Sequence, residues 1–149
     1  MGVVYKAQDK EAARTVAIKI IRQGVLDREK QERFEKEVRA TVLLNHPNIV
    51  KTYQASFTGK LQYIAMQYID GMSLKEYMTQ ENLTLQKKLQ LLLPIISAVD
   101  YAHEQGILHR DIKPVNIMVS QEEIPYLMDF GLAKMTEGED KKLTKSNEV

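Results

Sequence analysis

Two carboxylates, an amide and an amine stand close together in the second half of this chain. Asp111, Lys113 and Asn116 lie within His109-Arg110-Asp111-Ile112-Lys113-Pro114-Val115-Asn116, and Asp129 opens Asp129-Phe130-Gly131, thirteen residues beyond Asn116. Asp and Asn offer hard oxygen ligands suited to Mg²⁺, which keeps some of its waters and is usually held together with substrate phosphates. A further carboxylate left able to accept a proton can orient a hydroxyl nucleophile. Taken singly, Asp111 reads equally well as a turn residue and Asn116 as a polar residue at the start of a strand. Two multi-residue stretches in this order make the chemical reading the better one.

The elements around these residues must bring them together. Short strands near 117–119 and 126–128 flank the loop that ends at Asp129. Upstream, 3–7 and 15–21 read as strands joined by the polar turn Asp9-Lys10-Glu11. Alternation in the second strand puts Ala17, Lys19 and Ile21 on one face and Val16, Ile18 and Ile20 on the other. Lys19 could simply snorkel from a sheet edge. Residues 27–44 predict a helix with Phe34, Val38, Thr41 and Val42 as its inner stripe. At 100° per residue Glu37 falls inside that apolar arc, and a carboxylate there needs a cationic partner. Glu35 and Glu32 are alternatives for such a pair, but they sit towards the polar side.

Asn45-His46-Pro47-Asn48 ends the helix, and 49–58 with 61–68 predict a hairpin around Gly59-Lys60. Asp70-Gly71 is the candidate boundary between a sheet-rich part (1–70) and a helical part (71–149). Ser73 and Thr84 are suited to cap the helices that follow, and Pro94 should bend the second of these or cost it a hydrogen bond. Residues 85–103 are apolar around most of the circumference, so that helix needs burial on most sides. Little apolar sequence follows to supply it.

The chain has 149 residues, 21 basic and 20 acidic side chains and no cysteine. One ordinary domain is the expectation. The charge balance argues against nucleic acid or an anionic membrane surface as partner. Without cysteine there are no disulfides or thiolate metal sites. No apolar run approaches the ~20 residues that span a bilayer, and no signal-peptide pattern opens the chain. A soluble, cytoplasmic protein without a membrane segment is expected.

The stretches around Asp111 and Asp129, with Val16-Ala17-Ile18-Lys19 upstream, resemble the catalytic loop, metal-binding loop and phosphate-lysine strand of a eukaryotic-type Ser/Thr protein kinase. The resemblance implies an α+β, bilobal kinase-like fold, present in part: a small β-sheet lobe with one helix, then the first part of a helical lobe. It also implies ATP and Mg²⁺ as cofactors, with Ser/Thr hydroxyls of protein substrates as acceptors. Under it Asp111 accepts or orients the hydroxyl, and Asn116 and Asp129 hold the metal. Lys113 contacts the γ-phosphate, and Lys19, paired with Glu37, holds the α- and β-phosphates. Val4, Ala17 and Met118 sandwich the adenine, Met66 gates its pocket, and the backbone of Gln67 to Ile69 supplies hinge hydrogen bonds. Arg110 would receive a phosphate carried by Thr144 or Ser146, with Thr136 a weaker acceptor. Lys113, two residues after Asp111, is the form of Ser/Thr rather than tyrosine kinases.

The pattern is also broken. Gly2-Val3-Val4-Tyr5 matches only the last glycine of the three-glycine phosphate loop, and the first strand is missing. The chain stops at Val149, before any Ala-Pro-Glu. About half of a family domain is expected, inactive and poorly folded when isolated. Thr41 and Thr52 fall where the family usually stacks apolar residues above His109 and Phe130. Two rivals stand beside the kinase reading. One is a non-catalytic nucleotide- or partner-binding remnant; the other is a small-molecule phosphotransferase of related fold.

Overall fold

A computed structural model describes residues 3–21, 28–57, 62–80 and 82–130. Gly2, Gly131, Thr136, Thr144, Ser146 and the side chain of Phe34 lie outside that description. Seven strands and three α-helices follow in the order β1 (Val4–Asp9), β2 (Arg14–Ile21), α1 (Arg28–Thr41), β3 (Thr52–Ser56), β4 (Gln62–Gln67), β5 (Gly71–Ser73), α2 (Leu74–Gln80), α3 (Leu85–Glu104), β6 (Ile117–Ser120) and β7 (Pro125–Leu127) among the described residues. A single 3₁₀ turn, Pro114–Asn116, leads into β6.

The first sheet is antiparallel with strand order β1-β2-β4-β3. Val4 stands opposite Lys19 and Lys19 opposite Ile64, while Ala17 lies opposite Met66. The alternation expected for β2 therefore holds, and Lys19 comes from an inner strand, not from a sheet edge. The turn between β1 and β2 is longer than the polar triplet expected, with Ala13 at φ 50° and Asp9 accepting from the Ala12 N–H at 3.1 Å.

Helix α1 ends at Thr41, three residues before the expected Leu44. Amides of Val42, Leu43 and Leu44 bond three residues back, to Arg39, Ala40 and Thr41, and such bonds tighten and close a last turn. The Thr41 hydroxyl donates to the Val38 carbonyl at 2.7 Å, which supplies the partner that a buried hydroxyl requires. The loop after it seats on α3. The Tyr101 hydroxyl accepts from the Asn45 N–H at 3.2 Å, and the His46 ring lies 5.4 Å from that of Tyr101.

The second sheet, β5-β6-β7, is also antiparallel. Two apolar cores form, and they interleave. Val38, Val50, Phe57, Ile64 and Met66 fill the upper one. Leu44 and Ile49 pack instead with Leu91, Ile95, Ala98, Val119 and Leu127 below. The chain division at Asp70-Gly71 is thus crossed by residues 44–49. Backbone bonds of 2.8 Å from Leu127 N–H to Asn48 and of 2.9 Å from Val50 N–H to Leu127 sew this segment to β7.

Both expected caps form. Ser73 and Glu76 make a reciprocal capping box on α2, and Thr84 accepts from the Lys87 N–H on α3. Glu123, in the β6–β7 turn, bonds both Lys87 and the Tyr77 hydroxyl, which straps α2 and α3 to the second sheet. Helix α3 buries Leu91, Ile95, Ala98 and Ala102. Leu85, Leu89, Leu92, Leu93 and Ile96 are exposed. Burial on most sides, expected from its composition, is therefore not met by the described residues.

At Gly71 β5 passes so close to β6 that an added Cβ would lie 2.0 Å from the Val119 carbonyl oxygen. Backbone cannot yield there as a flexible side chain could. Gly71→Ala is expected to destabilise the protein by more than ~2 kcal/mol, the range of overpacked or strained sites, measured by denaturant unfolding. A change within about 0.5 kcal/mol, as for an ordinary surface site, would contradict this close approach.

Candidate active site

The loop from His109 to Asn116 is organised from below by one imidazole. His109 is 1 % exposed. Its Nε2 lies 2.8 Å from the Met128 carbonyl oxygen, and its Nδ1 accepts from the Asp111 N–H at 3.2 Å. Nδ1 as acceptor leaves the proton on Nε2, which donates to Met128. The ring thereby joins the backbone of Asp111 to the residue before Asp129. Phe130 covers it at 4.6 Å between ring centroids. Arg110 and Asp129, each adjacent to an anchor point, take the left-handed region at φ 67° and 66°, a strain that surrounding contacts must hold.

Around Asp111 the polar contacts converge. Lys113 Nζ is 2.8 Å from its Oδ2. Asn116 Nδ2 donates to the same Oδ2 at 2.9 Å and to the Asp111 carbonyl at 2.8 Å. The Lys113 hydrogen bond, seconded by that from Asn116, holds the Asp111 carboxyl below its ordinary range against modest desolvation. Asp111 is therefore ionised at neutral pH and able to accept. With both amide hydrogens spent on Asp111, Asn116 keeps Oδ1 as its remaining polar atom. Met128 N–H bonds the Asn116 carbonyl at 3.0 Å, which brings Asn116 alongside the segment that carries Asp129.

Asp129 and Asn116 thus offer one carboxylate and one amide oxygen. Among the described residues no group of three or more His, Cys, Asp or Glu could hold a metal. A cation that demands a full protein cage finds none among the described residues. Mg²⁺, which takes one or two protein oxygens and completes its shell with water and phosphate, fits the donor set.

The expected Lys19–Glu37 pair is replaced by two others. Lys19 Nζ reaches Asp129 Oδ1 at 2.8 Å, and Arg110 Nη1 reaches Glu37 Oε1 at 2.9 Å. Physically each carboxylate on the inner side has found a cation, as burial demands, but the partners are exchanged. Glu37 is a half-buried carboxylate of α1 and is paired with a cation. Helix periodicity alone does not choose between a cation on strand β2 and one on the loop after α3.

Val4 is exposed, Ala17 and Met118 are half-buried, and Met66 is buried. Behind Met66 lies a cavity of about 30 Å³ bounded by Val38, Thr41, Thr52, Ile64, Asp129 and Phe130, room for about one water. Gln67 spends its N–H on the Lys51 carbonyl at 2.8 Å, while the Ile69 N–H has no backbone partner among the described residues. Lys6 lies over the Tyr68 ring at 4.3 Å, tying β1 to the same segment. The role of His109 as the joint between the two acidic loops rests on its contacts with Met128 and Asp111, which sequence spacing does not reveal.

Burial pushes the His109 imidazole below its ordinary 6.5, outweighing the Met128 hydrogen bond and the nearby Asp111 and Asp129 charges. As pH falls through 6.5 the unfolded chain takes up this proton first, so stability drops until the lower folded value is reached. Heteronuclear NMR should show a His109 ring still neutral at its ordinary midpoint. His109→Phe should flatten the dependence of unfolding free energy on pH in that window. A ring that titrates at or above the ordinary value would contradict the assignment.

The family model for the protein kinase domain matches residues 1–148. A probable serine/threonine-protein kinase PknB of Bifidobacterium longum is 36 % identical over all of this chain, which covers 23 % of that protein. The serine/threonine-protein kinase PrkC of Bacillus subtilis is 41 % identical over 89 % of this chain and 21 % of its own length. Among solved structures, the kinase domain of PknI from Mycobacterium tuberculosis superposes with a TM-score of 0.79 at 31 % identity. That match covers 88 % of this chain and 55 % of the PknI domain. The chain therefore spans about a fifth of the length of these curated relatives and about half of the solved domain. No helix among the described residues is long and apolar enough to cross a membrane. Matching motifs, sheet topology and the loop geometry around His109 agree: this chain belongs to the protein kinase family.

Proposed function

We propose that this chain carries the nucleotide-binding and catalytic residues of a protein serine/threonine kinase. The proposed reaction transfers the ATP γ-phosphate to Ser or Thr hydroxyls of cytoplasmic protein substrates, with Mg²⁺ as the metal. The observation that carries this reading is the Asp111 carboxylate, kept ionised by Lys113 and aimed by an Asn116 amide whose oxygen is left over for a cation. Asp111 orients the acceptor hydroxyl and takes its proton, and Lys113 is placed to reach the transferred phosphate. Lys19 holds the remaining phosphates once it leaves Asp129. Asn116 Oδ1 and Asp129 hold the metal, which supplies charge neutralisation when bound. Positioning and neutralisation account for most of the acceleration in phosphoryl transfer. Gly2, Val4, Ala17, Met66, Gln67, Ile69 and Met118 are proposed to enclose the nucleotide.

The rival is a remnant that binds nucleotide without turning it over. Activity separates the two readings. In a complete kinase domain containing this sequence, Lys19→Met, Asp111→Asn and Asp129→Asn should each lower kcat/KM by at least ~10²-fold, the scale of lost transition-state stabilisation. A wild-type domain that binds ATP and Mg²⁺ but transfers no phosphate would favour the remnant. Full activity in Asp129→Asn with Mg²⁺ as the sole metal would refute the metal assignment.

Arg110 is also proposed to receive a phosphate on Thr144 or Ser146, since a phosphate adds about −1.5 to −2 charge that Arg grips bidentately. Thr144→Ala/Ser146→Ala should reduce both phosphate incorporation, read by mass spectrometry, and activity. Wild-type values for both would place the switch elsewhere.

A further inference from the structure

Strand β2 stands between β1 and β4 in the first sheet, so no backbone ladder joins β1 to the segment that follows β4. A side chain joins them instead. Lys6 Nζ lies 4.3 Å from the centroid of the Tyr68 ring, within the range at which a ring face attracts a cation. Opposed residues of antiparallel strands share a face. The register therefore puts Val4 and Lys6 on the face that carries Ala17, Lys19, Ile64 and Met66, and Lys19 on that face reaches Asp129. Lys6 stands opposite Ala17, whose single methyl leaves a long side chain room to cross β2.

We propose that Lys6 is a positioning residue of the nucleotide pocket, latching strand β1 to the segment after β4 through the Tyr68 ring. It rests on the kinase reading above, in which Val4 and Ala17 lie over the base and the backbone of Gln67 to Ile69 meets its edge. The latch ties those two walls together directly. Val4 is 55 % exposed, so packing of its own does not fix it over the pocket. Among the described residues β1 is otherwise held in the sheet only by its ladder to β2. With the ammonium on Tyr68, β1 cannot lift from the base end of the pocket without giving up that contact. The lysine charge is spent on the ring and not on a phosphate. The latch accordingly acts on a nucleoside and on a nucleotide by the same factor.

The test is calorimetric binding of adenosine, and separately of ADP with Mg²⁺, to a complete kinase domain containing this sequence. Lys6 is exposed, so replacing it removes no core packing. Lys6→Met should weaken both Kd values by about two- to fivefold, the scale of an exposed cation–ring contact. Lys6→Arg, which keeps a cation for the ring, should hold both near wild type. Tyr68→Leu should weaken binding as well. Adding Lys6→Met to it should cost nothing further, because the pair is already broken. A lower Tm for Lys6→Met with both Kd values unchanged marks a merely structural contact and overturns the latch. So does a loss for ADP alone, which assigns the lysine to a phosphate, and so do losses that multiply in the double variant. A wild type that binds neither ligand overturns the kinase reading itself, and the latch with it.

Discussion

The spacing of the two acidic loops depends on a single buried imidazole. His109 uses both ring nitrogens, one on the Asp111 amide and one on the Met128 carbonyl. It can do so only as the neutral tautomer, because a second proton would remove the acceptor that Asp111 needs. Burial under Phe130 disfavours that proton and so protects the arrangement. The left-handed backbone at Arg110 and Asp129 becomes intelligible in this light. Each unfavourable conformation lies next to an anchored residue, so the cost is borne where the chain has no freedom to relax.

A second fixed feature is the seam formed by residues 44–50. This segment leaves α1, rests on α3 through Asn45 and His46, and then runs beside β7. Leu44 and Ile49 pack below while Val50 packs above. Because the cores interleave here, a displacement of α1 must pass through apolar contacts on both sides, and close-packed interiors transmit such shifts. Glu37 rides on that helix. Its position relative to Arg110 is accordingly a property of the seam as well as of the ion pair.

Much of this was legible in the residues, for identifiable reasons. Alternation in β2 and the hairpin of β3 and β4 follow from period-two patterning, and Ser73 and Thr84 carry their caps as local chemistry. Glu37 could be placed on the inner face of α1 because helical geometry depends only on its own neighbours. Its partner could not be read that way, since Arg110 arrives from seventy-three positions along the chain. The same limit applies to His109, whose hydrogen bonds join its own loop to the segment carrying Met128, and to the crossing of the Asp70-Gly71 boundary by Leu44 and Ile49. Helix α3 shows another limit: composition showed how much apolar surface it has, while the described neighbours cover only the Leu91, Ile95, Ala98 and Ala102 face.

Enclosed and partly solvated groups are segregated in this site by burial. His109, Val38, Leu44 and Leu127 are all at most 2 % exposed, and groups so enclosed cannot trade partners without opening the core. Lys19, Glu37, Arg110 and Asp129 remain partly wet, with side-chain exposures from 19 % to 41 %, so their ion pairs are weaker than enclosed ones. The nucleotide and metal proposed for this site would benefit from that division. Were the four charges as buried as His109, releasing any one would leave an uncompensated charge in the interior, costing several kcal/mol (~3–5). Were His109 as exposed as Arg110, neither acidic loop would hold its strained backbone. The frame positions the carboxylates, and the ion pairs hold them at the edge of solvent.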